Sequence, residues 1–326
     1  MTTMTMIEAI RSTLRAELAR DDRVLLLGQD IGSLGGVFRA TDGLLAEFGS
    51  DRVVDMPLAE ASIVGAAIGL AISGLIPVAE LQFLGFSHQA FHQIGPQLAR
   101  FRSRSRGRFT MPVTIRAPFG GGVRTPELHA DAIEAMFAHC PGLKVVCPAT
   151  AHDAKGLLLR AIRDPDPVLF CEPLKGYRHI KDDVPEEDYV VDFGKARIAR
   201  EGSDVTIVAW SAAVVVAQRA ARVLAEEGIS CEVLDLRTLV PLDEDSLAAS
   251  VEKTGRCVVV HEAPLTAGFG AEIVGTVQSR AFYSLQAPIA RVAAPDAPYP
   301  PAALEDWYIP DVGRVVKAVR ATACAQ

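Results

Sequence analysis

The chain has 326 residues, 49% apolar and 22% charged, with a formal net charge of −7. These proportions are globular, leave room for two ordinary domains and exclude a disordered chain. The acidic balance, with one basic cluster from Arg100 to Arg108 and no basic stripe, argues against nucleic acid as a partner.

That cluster ends a helical pattern and is read as capping the helix or touching another chain. No apolar run reaches the ~20 residues of a membrane helix, and no secretory segment opens the sequence. The cysteines at 140, 147, 171, 231, 257 and 324 lack zinc or redox spacing, and four lie in or beside apolar runs. Free thiols in a core imply a reducing compartment, so a cytoplasmic location is expected.

In chain order, Ile7, Ile10, Leu14 and Leu18 form one stripe and predict a helix over residues 7–18. Residues 24–28 read as a buried strand. The glycine-rich loop after it, 29–36, has the wrong spacing for a dinucleotide turn. A short helix is expected at 41–48. A strand then ends at Pro57, and a helix of small residues runs on to about Gly74. Strands follow at 78–83, 113–116, 144–147 and 168–170, with helices at 88–104, 130–139 and 151–163. Residues 175–192 are polar, carry no clear element and read as a linker. Beyond it, strands are predicted at 205–210, 231–236, 258–261 and 288–292, and helices at 212–227, 243–254, 270–284 and 311–321. Alternating strands and helices predict an α/β chain of two domains, each a mostly parallel sheet covered by helices. The boundaries are 1–178 and 196–326, with 179–195 as linker.

Glu60, in Pro57-Leu58-Ala59-Glu60, falls in the first turn of the small-residue helix. One reading is a helix-start carboxylate favoured by the macrodipole. The other is a carboxylate held at an interface. Gly65 and Gly69, with Ala66, Ala67 and Ala71, either let another helix approach closely or pack tightly on the chain's own sheet. Glycine-rich loops stand at the C-terminal ends of strands, where ligands bind in open α/β sheets. No phosphate-binding motif is complete, and Gly268-Phe269-Gly270 lacks its final glycine. The chain reads as half of a site.

Several stretches carry a resemblance: Gly36 to Thr41, Pro57 to Glu60, Ala79 to Phe83, Gly120 to Val123, Glu127 to His129, Pro141 to Val146, Asp235 to Leu239 and Lys253 to Arg256. In this order, over residues 6–319, they resemble the beta subunit of the thiamine-diphosphate-dependent 2-oxo acid dehydrogenases. The resemblance implies a transketolase-like pyrimidine-binding domain and a transketolase C-terminal-type domain. It implies an alpha subunit in an α2β2 heterotetramer and a lipoylated dihydrolipoyl acyltransferase core as partners. The alpha subunit of that family carries the Gly-Asp-Gly…Asn motif for diphosphate and magnesium. This chain has no such motif, which accounts for the half site.

The same resemblance implies residue roles. Glu60 matches the carboxylate that bonds the 1′ nitrogen of the aminopyrimidine and favours the imino tautomer, whose 4′ nitrogen takes the C2 proton. Leu58 would contact the pyrimidine and Phe86 would stack on it. Gln82 either bonds the cofactor's surroundings or is a strand-end polar residue. His129 would act on the bound 2-oxo acid or in acyl transfer to lipoyl sulfur; alone, it reads as a cap or loop residue. The stretch Ala130-Asp131-Ala132 departs from the Ser-Gln-Ser of many relatives. Gln29 replaces a frequent Glu, so a carboxylate relay from Glu60 through position 29 is not available. Met111, Val113, Thr114, Ala161, Asp164 and Asp166 match a structural potassium site.

Residues 135–142 and 261–266 look most like the branched-chain enzymes, implying a 3-methyl-2-oxobutanoate-type substrate. The alternatives are a pyruvate or acetoin dehydrogenase beta subunit, or a catalytically silent scaffold of the same fold. Retention of Glu60, Phe86 and His129 favours an enzyme.

Overall fold

The computed structural model describes residues 1–324. Strand β1 (Thr2–Thr5) leads into α1 (Met6–Arg20) through a capping box, in which the Thr5 hydroxyl accepts from the Glu8 amide and Glu8 accepts from the Thr5 amide. Then come β2 (Val24–Gly28), α2 (Leu44–Phe48), β3 (Val53–Asp55), α3 (Glu60–Ile72) and β4 (Ile76–Glu80). The regular helix expected at 88–104 is instead a 3₁₀ segment, Leu84–Ala90, a π-helical segment, Gln93–Ala99, and the short α4 (Arg100–Arg104). Pro96 lies inside the π segment. It removes a backbone donor there, and a widened turn accommodates the loss.

The first domain continues with β5 (Thr114–Phe119), α5 (Glu134–Ala138), β6 (Lys144–Val146), α6 (Ala151–Ile162), β7 (Val168–Pro173), α7 (Gly176–His179) and β8 (Lys181–Val184). The second holds β9 (Arg197–Arg200), β10 (Val205–Ala209), α8 (Ala212–Glu226), β11 (Cys231–Asp235), β12 (Thr238–Val240) and α9 (Glu244–Thr254). It ends with β13 (Cys257–Pro264), α10 (Gly270–Ala281), β14 (Ala290–Ala294), α11 (Glu305–Tyr308) and α12 (Val312–Ala323).

Seven strands form the larger sheet in the order β12-β6-β7-β5-β4-β2-β3, and five form the smaller, β14-β13-β10-β11-β9. Within them, β12 on β6 and β9 on β11 are antiparallel. Strands β2, β5 and β7 are buried at every position, as expected of parallel strands covered on both faces. The stretch read as an elementless linker contains α7 and β8, and β8 pairs antiparallel with β1. Its polar residues are used there: Thr2 donates to Glu186 and Thr3 to Asp183. Predicted helix 130–139 starts only at Glu134, because Ile133 is not helical.

The domains are joined in two ways. Strand β12 extends the first domain's sheet. One apolar cluster also runs through both, with Ala79, Ile115 and Cys147 from the first and Val208, Leu234 and Val259 from the second. Among the described residues no helix is long and apolar enough to cross a membrane. All six cysteines are free thiols.

Candidate active site

The site lies where β2, β3, β4 and β5 end. Strand β3 stops at Asp55, whose carboxylate accepts from the amides of Gly32 at 2.6 Å and Ser33 at 3.0 Å and so ties down the glycine-rich loop. The next amide, Met56, donates to the Gly28 carbonyl at 2.8 Å. Pro57 then ends the extended run, and Glu60 becomes the first residue of α3. Ala59 precedes it with no side-chain cap, so the helix presents bare N–H groups and Glu60 is the anion at its positive end.

Glu60 is 4% exposed, and its Oε2 is buried with no hydrogen-bond partner among the described residues. A buried, unpaired acceptor costs about 1–3 kcal/mol. The geometry therefore calls for a donor from outside the chain. An aminopyrimidine ring nitrogen carrying a proton is such a donor, so this carboxylate fits the pyrimidine of thiamine diphosphate. Leu58, two residues before, is 68% exposed; an apolar side chain left open beside a buried carboxylate suits contact with a flat ring.

Phe86 and His129 are brought together by the 3₁₀ segment and the loop after β5. Their rings lie 4.9 Å apart, and Phe83 packs edge-on against both, 4.6 Å from His129 and 5.4 Å from Phe86. Gly85 makes this possible, because a Cβ there would overlap the Leu128 carbonyl. His129 Nδ1 lies 3.0 Å from the Glu127 carbonyl. A carbonyl only accepts, so Nδ1 carries the hydrogen and the neutral ring leaves the lone pair on Nε2. Gln82 is engaged elsewhere: its Nε2 donates to Asp30 Oδ2 at 3.2 Å, bracing the loop after β2. Gln29 is half-buried beside it.

Behind these residues runs a buried ionic chain absent from the sequence reading. Arg116 on β5 grips Glu172 on β7 through two bonds of 2.8 Å and also contacts Glu80 at the end of β4, while Tyr177 donates to Glu172. Burial pushes the Glu80 carboxyl above its usual range, and Glu172 adds to the push. Burial opposes the charge on Arg116, yet Glu172 and Glu80 outweigh it and raise the guanidinium's pKa. Removing one member of such a group typically costs about 3–5 kcal/mol.

The second domain also reaches into the site. Glu262 on β13 accepts from the Gly121 amide at 2.9 Å. Glu305 on α11 accepts from the amides of Gly122 at 3.0 Å and Arg124 at 2.9 Å, and from the Tyr299 hydroxyl at 2.5 Å. Burial pushes the Glu262 carboxyl up to about 7, against the Gly121 amide and Lys175, with Glu134 and Glu305 adding to the rise. Trp210 Nε1 donates to Glu134 at 3.1 Å and seals the joint below the loop. The contacts between the two domains have no local sequence signal, since their partners lie 76 or more positions apart.

The potassium set is different. The Met111 carbonyl accepts from Val113, the Val113 carbonyl from Val168 and the Ala161 carbonyl from Asp164. Asp164 is salt-bridged to Lys144 at 2.5 Å and Arg160 at 2.9 Å, and Asp166 to Arg102 at 2.7 Å. Among the described residues, Thr114 Oγ1 and Asp164 Oδ2 are buried without a hydrogen-bond partner. Each of these carbonyls keeps a second lone pair, and with the two unpartnered oxygens they would suit a potassium ion, although Asp164 and Asp166 are also paired with side-chain cations; no step is drawn through one.

Comparison with known proteins decides the family. "Transketolase, pyrimidine binding domain" matches residues 2–179, and "Transketolase, C-terminal domain" matches residues 194–315. The chain is 52% identical over 320 residues to a pyruvate dehydrogenase E1 component subunit beta of Bacillus subtilis, covering 98% of each. It is 51% identical over 322 residues to the subunit of the same name from Staphylococcus epidermidis, covering 99% of each. The chain belongs to the transketolase-like beta subunits of the 2-oxo acid dehydrogenases. A solved structure described as a split-gene transketolase, inactive beta4 tetramer, superposes with a TM-score of 0.81 at 26% identity, covering 99% of both chains.

For a beta chain of this family, one further surface bears on the half site. Gly65 and Gly69 are exposed on α3, and a Cβ at either would meet nothing within 4 Å. Tight packing on the chain's own sheet is therefore not what keeps these residues small. The helix that carries Glu60 presents a bare stripe outward.

Proposed function

We propose that this beta subunit forms half of a thiamine-diphosphate site that decarboxylates pyruvate, completed by an alpha subunit in a heterotetramer of two of each. Glu60 carries the proposal: a buried carboxylate oxygen with no partner among the described residues, at the head of a helix whose small-residue stripe is open. Thiamine diphosphate, when bound, supplies the carbon nucleophile and electron sink that decarboxylation needs. Glu60 would hold the proton at the pyrimidine ring nitrogen, in a pocket dry enough to strengthen the bond. Phe86 and Leu58 would flank the ring. His129, with its lone pair on Nε2, would take or give a proton at the substrate oxygen or the lipoyl sulfur. The diphosphate and its magnesium fall to the alpha subunit, since this chain has no motif for them. The lipoylated acyltransferase core would accept the acyl group. Free thiols suit a reducing cytoplasm.

Pyruvate is preferred to a branched-chain acid for two reasons. The relatives described above are named for pyruvate. The residues behind the branched-chain resemblance also have structural duties: His261 is fully buried and stacks on Trp210 at 5.2 Å, and Glu262 holds Gly121. Burial pushes the His261 pKa down to about 4 and keeps the ring neutral. In the tetramer reconstituted with its alpha subunit, kcat/KM for pyruvate should exceed that for 3-methyl-2-oxobutanoate by about 10-fold or more, the usual scale for misfit methyl groups. A preference for the branched acid would restore the reading from residues 135–142 and 261–266.

A further inference from the structure

The loop that ends in His129 is held at its start by the second domain. Arg124 and Leu128 take left-handed backbone conformations, φ 58° and 67°, which a non-glycine residue adopts at a cost unless held there. Gly120 and Gly122 are left-handed too, and a Cβ at Gly121 would collide with the Tyr299 hydroxyl. The restraint comes from the second domain. Three donors converge on one oxygen of Glu305, which is 2% exposed, and Glu262 takes the fourth, Gly121. Arg124 then closes the contact from outside, bonding the Ala302 carbonyl at 2.6 Å and Asp306 at 2.7 Å.

We propose that Glu305, with Glu262 in support, is a positioning residue for the reaction: it fixes the backbone of Gly121 to Arg124 so that His129 meets the substrate from between Phe83 and Phe86. This rests on the role given to His129 above. The second domain thereby gains a catalytic duty beyond assembly, although none of its side chains need touch substrate. A misplacement of about 1 Å at a reacting group can cost about 100-fold, so the carboxylate matters in proportion to the precision His129 requires.

The test is a double-mutant cycle in the reconstituted tetramer, read with backbone amide exchange. Glu305→Gln keeps the volume, removes the charge and weakens all three bonds. Turnover should fall about 10- to 100-fold, exchange of the cofactor's C2 proton should be unchanged, and amides in 121–124 should exchange faster. The double variant E305Q/H129A should be no slower than H129A, because both losses pass through one side chain. If E305Q does not assemble, E262Q carries the same cycle through Gly121, with a smaller loss expected. Normal turnover despite faster loop exchange overturns the proposal, and so does a double variant whose loss is the product of the single losses. Normal turnover in H129A would instead refute the role of His129 itself.

Discussion

Glu60→Gln will leave the tetramer assembled and slow deuterium exchange at C2 of bound thiamine diphosphate by about 100- to 10,000-fold. Gln keeps the size of Glu and its place in the first turn of α3, so the helix and its packing should survive. What it loses is the ability to share a proton with a ring nitrogen. The carboxylate's Oε2 is buried with no partner among the described residues, and two nearby side chains do not replace it: Gln82 is committed to Asp30, and position 29 is Gln. NMR of the C2 proton in deuterated buffer reads the step directly, before any 2-oxo acid is added. An exchange rate equal to wild type would reduce Glu60 to a helix-start carboxylate.

His129→Ala should behave in the opposite way. Its ring sits against Phe83 and Phe86 on the loop after β5, and its hydrogen bond is to the Glu127 carbonyl and not to Glu60. C2 exchange should therefore stay near wild type, while NADH formation in the complete complex falls at least about 100-fold, the low end for a catalytic imidazole. The half-buried ring of His129 makes one hydrogen bond among the described residues, to the Glu127 carbonyl, and the backbone bond of its amide to Pro126 survives in the variant, so the variant should melt close to wild type. A lowered melting temperature with normal turnover would make it a loop residue and no more.

The layered α/β fold was legible because its parallel strands are short, continuous apolar runs and its helices carry clear stripes. The failures have physical causes. The π segment follows from Pro96 inside an otherwise helical pattern. Strands β8 and β9 are polar and lie outside the core pattern, and β12 is a three-residue edge of a sheet built by the other domain. Glu60, Phe86 and His129 were visible only as matches to a family, since spacing alone made Glu60 a helix start. Their setting was not visible at all. Glu305 lies 183 positions from Gly122 and Glu262 lies 141 from Gly121, distances at which residue type carries no trace of contact. Leu58 was expected to touch the pyrimidine, and the fold leaves it open to do so. The exposed Gly65 and Gly69 separated two packings between which sequence alone could not choose.

In the proposed division of labour this chain would bring the activating carboxylate and the alpha subunit the diphosphate grip. Exchange at C2 of thiamine diphosphate, measured with magnesium for this chain alone, the alpha subunit alone and the two mixed, tests it most directly. Fast exchange should appear only in the mixture, and only there should pyruvate be decarboxylated. Accelerated exchange with this chain alone, or none in the assembled mixture, would mean that carboxylate and diphosphate grip are not divided between the two subunits in this way.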